Sequence, residues 1–216
     1  MLYHKIQSIF KRDMSSPNNS FIIGDYTIPE FEFLKDNNWV WTEKIDGTNI
    51  RIMWDGESVT FGGRTDNAQM PIFLLYKLQE LFEGTEKRKL FKDIFSKDGV
   101  CFTNICLYGE GYGAKIQKGG GNYIADGVDF ILFDIKIGDI WLKREDVEDI
   151  AAKLGIRTVN IVGEGTVNEA IEFVKKGFNS EFGDFLAEGL VIRPEIELLS
   201  RNGSRIITKI KHRDFT

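Results

Sequence analysis

One lysine in this chain stands where a nucleophile would stand. Lys44 lies in WTEKIDGTNIRIMWDG (residues 41–56), between a hydrophobic strand entry and an Asp-Gly turn. A lysine attacks phosphorus only as the free amine, and an ordinary pKa of about 10.4 leaves almost none of that form at neutral pH. Neighbouring cations or a bound metal disfavour protonation and so supply the nucleophile. Such companions follow in order: Arg64 in GGRTDNAQ, Glu110 in LYGEGYG, Phe133 in FILFDIK, Glu188 in AEGLVIRP, and Lys209 and Lys211 in ITKIKHRDF. The cations Arg64, Lys209 and Lys211 would also neutralise phosphate oxygens during a transfer. Glu110 and Glu188 are hard oxygen donors suited to magnesium or a ribose hydroxyl, and Phe133 offers a face for a purine. The set would suit transfer of a phosphorus group through a lysine, whereas Lys44 taken alone also reads as a solvated strand-end lysine before a turn.

These residues fall at or near the ends of expected strands, where charges can converge. Strand-like alternation covers 39–44, 48–54 and 58–62, the last two joined at Asp55-Gly56. The run PIFLLYKLQELFEG reads as a helix opened by Pro71 and closed by Gly84, with EKRKLFKDIF as a second. Further strands are expected at 100–108, 128–137 and 140–143. Helices follow at 144–154 and 166–176, with a short strand at 157–162 between them, and strands at 188–193 and 204–211 finish the chain. Strands outnumber helices without alternating regularly, so the expected class is α+β, with antiparallel sheets flanked by helices in a single domain over 1–216.

Bulk properties bound the partners. The 216 residues are 42% hydrophobic and 28% charged with only four prolines, the profile of a compact domain with a real core. The longest loop is expected at 13–20, DMSSPNNS. A formal net charge of -5 repels phosphate overall, so composition alone predicts no nucleic-acid partner and any such contact needs a local basic patch. Cys101 and Cys106 lack partner cysteines or nearby histidines for zinc and read as reduced core residues of a cytosolic protein. No window has signal-peptide or membrane-span character. An acidic cytoplasmic monomer is the expectation.

The ordered motifs EKIDGTN, YGEGYG, FDI, EGLVIRP and KIK, spanning 43–211, resemble the lysine-dependent covalent nucleotidyltransferases: ATP-dependent DNA and RNA ligases and mRNA capping enzymes. The Glu-Lys-x-x-Gly-Thr-Asn form followed by Arg64 is most similar to the RNA ligase 2 type of phage and kinetoplastid ligases. The resemblance implies an ATP-dependent RNA ligase using Mg2+ or Mn2+. Lys44 would take AMP from ATP and pass it to a nucleic-acid 5′-phosphate, and a 3′-hydroxyl would then displace it. It further implies Glu43 at the adenine side, Arg64 and Asn49 near the phosphates, Glu110 at the ribose or metal and Phe133 stacked on adenine. Glu188 would hold the metal, Lys209 and Lys211 the α-phosphate, and Arg193 a phosphate; Asp46 and Asp134 match acidic motif positions. A DNA ligase, a GTP-dependent capping enzyme and a non-catalytic nucleotide-binding module are the alternatives.

Other features have blander readings. KGGGNY at 118–123 lacks P-loop spacing and reads as a mobile loop, beside which Lys115 and Lys118 would touch nucleic acid. HRD at 212–214 lacks a downstream Asp-Phe-Gly and is not a kinase loop. His4 reads as surface or packing, and REDVEDIAAKLG as a solvated amphipathic face. Five residues follow Lys211, so the expectation is a minimal catalytic core without a C-terminal OB or RNA-binding module. Such a core would adenylylate robustly, grip nicked duplex weakly and with strong salt dependence, and rely on an accessory nucleic-acid-binding protein.

Overall fold

The computed structural model describes residues 1–16 and 19–215, so Pro17 and Asn18 of the expected loop at 13–20 lie outside the described residues. The chain forms two compact units, Met1–Tyr3 with Asp46–Val159 and His4–Ile45 with Asn160–Thr216. Each has its own sheet and its own apolar core. The class is α+β with mainly antiparallel sheets, as the pattern predicts.

In the first unit the strands run Val59–Gly62, Thr48–Trp54, Ile105–Gly113, Val128–Ile137 and Ile140–Trp141, each antiparallel to its neighbour, with Arg157–Thr158 added parallel to Val128–Ile137. Alternation puts Ile50, Ile52 and Trp54 into the core. Helix Ile72–Phe82 closes over it with Leu74, Leu78 and Phe82, one stripe at four-residue spacing. Helix Arg144–Leu154, stopped by Gly155 in the left-handed region, adds Val147, Ile150, Ala151 and Leu154. Glu145, Asp146, Glu148, Asp149 and Lys153 face outward, as the amphipathic reading requires, while Arg144 folds back onto Thr158 and the Val159 carbonyl.

The expected strand at 100–108 is instead two, Val100–Cys101 and Ile105–Gly113, and the second continues through the glycines of LYGEGYG. The reason is space. A Cβ at Gly109 would lie 2.2 Å from Phe130 Cζ, and one at Gly111 2.7 Å from Leu74 Cδ2. These glycines let an aromatic and a helix pack flat on a strand interior. KGGGNY is likewise no loop: Gly120–Tyr123 is a short helix whose buried first residue sits on the Gly113 carbonyl.

The second unit orders its strands Gln7–Ser8, Thr208–Lys211, Gly189–Pro194, Trp39–Glu43 and Ile161–Gly165. The first pair is parallel and the others antiparallel. Helix Val167–Lys176 starts on a Thr166/Glu169 capping box, worth about 1 kcal/mol, and buries Val167, Ala170, Ile171 and Val174 against Trp39, Leu190 and Ile192. The strand expected at 157–162 splits, because Arg157–Thr158 pairs with Val128–Ile137 while Ile161–Gly165 pairs with Trp39–Glu43. That expected at 204–211 shortens to Thr208–Lys211. Gln7–Ser8, the hairpin Phe10–Arg12 with Phe21–Tyr26 and helix Pro29–Phe33 are too short to leave a periodic signal in sequence. Among the described residues no helix is long and apolar enough to cross a membrane. Both cysteines are free, Cys106 buried and Cys101 partly exposed.

Candidate active site

Three strand ends of the second unit bring Lys44, Glu188 and Lys211 together. Lys44 follows strand Trp39–Glu43 and donates its backbone N–H to the Gly189 carbonyl at 2.9 Å. Gly189 in turn lies opposite Lys211 in the register, and His212 N–H bonds the Glu188 carbonyl at 3.0 Å. The Glu188 side chain is thereby held between two lysines: Lys44 Nζ lies 2.6 Å from its Oε2 and Lys211 Nζ 2.5 Å from its Oε1. Burial alone would raise the Glu188 pKa, but the two ammonium groups outweigh it and hold the carboxyl below the ordinary glutamate value. The glycine after Glu188 is a packing requirement. At φ +151° its Cβ would lie 2.0 Å from the Ile210 carbonyl oxygen, so only glycine lets the strands close.

Strand alternation sorts the remaining residues of this unit. Along Thr208–Lys211, Thr208 and Ile210 are buried while Lys209 and Lys211 share the opposite, open face. Glu43, by contrast, points into the protein, accepting from Ser180 Oγ at 2.5 Å and from Glu181 N–H at 2.9 Å. It bolts the strand end next to Lys44 to the turn at 180–181. Arg193, opposite Val40, lies 3.9 Å from Glu197, which also takes a two-pronged contact from Arg205 at 2.6 and 2.9 Å.

In the first unit Asn49 stands directly opposite Glu110 in the pairing of Thr48–Trp54 with Ile105–Gly113. The Asn49 Oδ1 is buried and has no hydrogen-bond partner among the described residues, a costly arrangement that a bound ligand would relieve. The turn after Lys44 is fixed by the glycine-rich segment. Asp46 N–H donates to Tyr123 Oη at 3.1 Å, and Gln117 Nε2 donates to the Gly47 carbonyl at 2.9 Å. Lys115 and Lys118 are exposed.

Phe133 is not a core residue. It is the extra residue of a β-bulge, where the register jumps from Leu132 to Asp134, and it stays half-buried with Tyr3 edge-on at 5.2 Å. Asp134, buried, accepts from Tyr3 Oη at 2.5 Å. Arg64 is exposed just past strand Val59–Gly62, on a segment anchored by a residue the sequence reading passed over. Arg51 is 1% exposed; its guanidinium donates to the carbonyls of Gly63 at 2.7 Å and Met1 at 3.1 Å and pairs with Asp66 at 2.9 Å. An arginine inside the apolar strand TNIRIMW was the available signal.

No group of three or more His, Cys, Asp or Glu side chains suited to a metal occurs among the described residues. Magnesium commonly takes only one or two carboxylates and completes its shell with water and substrate phosphate oxygens. Glu188 or Glu110 as single donors fit that pattern.

The family model for RNA ligase matches residues 37–211. None of the curated proteins matches the chain. Among solved structures it resembles the Naegleria gruberi RNA ligase with PPi at 20% identity and a TM-score of 0.64, over 87% of this chain and 53% of that one. A lysine-to-alanine mutant of that ligase with ATP and Mn gives 17% identity and a TM-score of 0.66, over 100% and 61%. A lysine-to-methionine mutant with AMP and Mn gives 18% and 0.63, over 87% and 53%. At such identities the likeness is one of fold, and this chain spans between about half and three fifths of those proteins. A family match over most of the chain, on a fold that gathers Lys44, Glu188 and Lys211, has one reading: the chain belongs to the RNA ligase family.

Proposed function

We propose that this protein is an ATP-dependent RNA ligase that joins a 5′-phosphate to a 3′-hydroxyl through a covalent lysyl-AMP. One observation carries the reading: two lysines, 167 positions apart by number, grip opposite oxygens of one carboxylate. Lys44 Nζ forms a bond to the α-phosphorus of ATP while the bond to the β-phosphate oxygen breaks and pyrophosphate leaves. An ion-paired ammonium has no lone pair, so Lys44 releases Glu188 and a proton before attacking. Lys211 stays on the other oxygen and keeps the buried carboxylate compensated when Lys44 loses its charge. Lys209, on the same strand face, faces the transferred phosphate with it.

In the first unit, Asn49 with its unsatisfied acceptor and Glu110 are assigned to the nucleotide, Phe133 to stacking on adenine and Arg64 to phosphate. Glu43 holds the strand end on the adenine side, and Arg193 is assigned to phosphate. Glu188 or Glu110 would hold Mg2+ or Mn2+, which would supply charge neutralisation of the triphosphate. AMP then passes to the substrate 5′-phosphate, and the 3′-hydroxyl attacks that phosphate and expels AMP. We take the protein to act in the cytoplasm as a monomer, with an accessory nucleic-acid-binding protein supplying further grip on the strands.

The test is a sealing assay on nicked duplexes with an RNA or a DNA 3′-hydroxyl strand. The reading expects an adenylylated 5′-strand and a sealed product with ATP, on the RNA nick and with wild-type protein but not with Lys44→Ala. Sealing of the all-DNA nick alone would make it a DNA ligase, and label transfer from GTP would favour capping chemistry.

A further inference from the structure

The second unit holds a cavity of about 680 Å³ that adjoins the lysine-glutamate-lysine cluster through Lys211, and its walls have an unusual sign. Lys5, Lys11, Arg12, Lys209, Lys211 and Arg213 line it, and among the described residues Asp214 is the only carboxylate in its lining. The chain as a whole has more carboxylates than cations, 33 against 28, so a random stretch of surface would carry the two signs about equally. Asp214 is moreover cancelled by Arg12 at 2.8 Å, and Arg12 is itself pinned over the Phe21 ring at 4.5 Å and to the Asn19 carbonyl. Lys11 pairs with Asp25 in an exposed contact, which counts for little.

The parallel strand Gln7–Ser8 builds this trough against the strand of the candidate site. Ser8 lies opposite Lys209, and the Thr208 hydroxyl donates to the Gln7 carbonyl at 2.9 Å. The N-terminal cations therefore extend the line begun by Lys209 and Lys211. A pocket for a neutral metabolite is mostly apolar with a few polar groups. This one is lined by six cations, the composition of a groove that tracks a phosphate backbone.

We propose that this trough is the binding surface for the sugar-phosphate backbone of the substrate strand next to its 5′-phosphate, with Lys5 and Lys11 as phosphate contacts. The proposal rests on the ligase reading insofar as that reading brings the substrate 5′-phosphate to the transferred phosphate faced by Lys209 and Lys211. It also supplies the local basic patch that an acidic chain needs to hold a nucleic acid at all.

The experiment compares the full chain with a Lys5→Gln/Lys11→Gln variant, by anisotropy of a fluorescent single-stranded oligouridylate across a salt series. Each phosphate contact contributes about 0.7 to the slope of log affinity against log salt on single strands, so the variant slope should fall by about 1.4. Lysyl-AMP formation and its half-saturating ATP concentration should not change, which also shows that the variant is folded. An unchanged slope, or no binding by the wild type, overturns the proposal. A raised ATP requirement with unchanged strand binding also overturns it and assigns the trough to the triphosphate. Should the wild type bind through Lys5 and Lys11 yet form no lysyl adduct, the ligase reading fails and the trough stands.

Discussion

Replacing Glu188 with glutamine tests the electrostatics of the candidate site without changing its shape. The Glu188, Lys44 and Lys211 side chains are only 12%, 21% and 16% exposed, so the network is poorly screened by solvent. Each charge-assisted bond contributes about 1.5–3 kcal/mol net, of which the amide keeps a part. The variant also leaves two ammonium groups no more than about 7 Å apart, a repulsion of about 2 kcal/mol at an effective dielectric of about 20. After discounting for partial exposure we expect a loss of about 3 kcal/mol, or roughly 6–12 °C in Tm for a chain of this size.

The control is the same change in a Lys44→Met/Lys211→Met background. It should cost far less there, because no buried charge is left uncompensated. The pH dependence has a fixed sign. The Glu188 pKa is lower folded than unfolded, so its contribution is complete above the ordinary glutamate value of 4.5 and disappears as pH falls through the folded value. The wild-type advantage in urea unfolding should therefore be constant near neutrality and shrink in acid. A loss below about 0.5 kcal/mol, or an equal loss in the methionine background, would refute the network argument.

Gly189→Ala should cost about 3 kcal/mol and abolish lysine adduct formation, since its Cβ overlaps the Ile210 carbonyl and φ is +151°; normal stability by calorimetry would contradict the packing argument. Arg51→Met removes the two anchors of the 63–66 segment, at the Gly63 carbonyl and Asp66, and should expose Arg64 to rapid tryptic cleavage while the sheet persists. Burial pushes the Cys106 thiol up to about 11, so iodoacetamide at neutral pH should modify Cys101 first and Cys106 only on unfolding.

The long elements were legible because periodicity carried them: Ile72–Phe82 and Arg144–Leu154 bury the stripes their spacing predicts. Glu188 and Lys211 could be paired with Lys44 in advance only as chemistry, since the three-strand register that joins them is non-local. Local cues misled where glycine served packing rather than turning. Gly109 and Gly111 lie inside a strand because Phe130 and Leu74 need the room, and Gly120 opens a helix. Phe133 stays half-buried on an otherwise buried strand stretch because of a bulge, which a single sequence does not announce. Arg51 was missed because a buried cation inside an apolar strand is explained only by the carbonyls it meets.

The most direct measurement is of Lys44 itself. Wild-type protein and Lys44→Ala are incubated with α-labelled ATP and magnesium, denatured and digested, and the labelled peptide is sequenced by mass spectrometry. The account predicts AMP on Lys44 of the wild type and no labelled peptide from the variant. Label on another residue, or an unlabelled wild type both as isolated and after ATP, would contradict it.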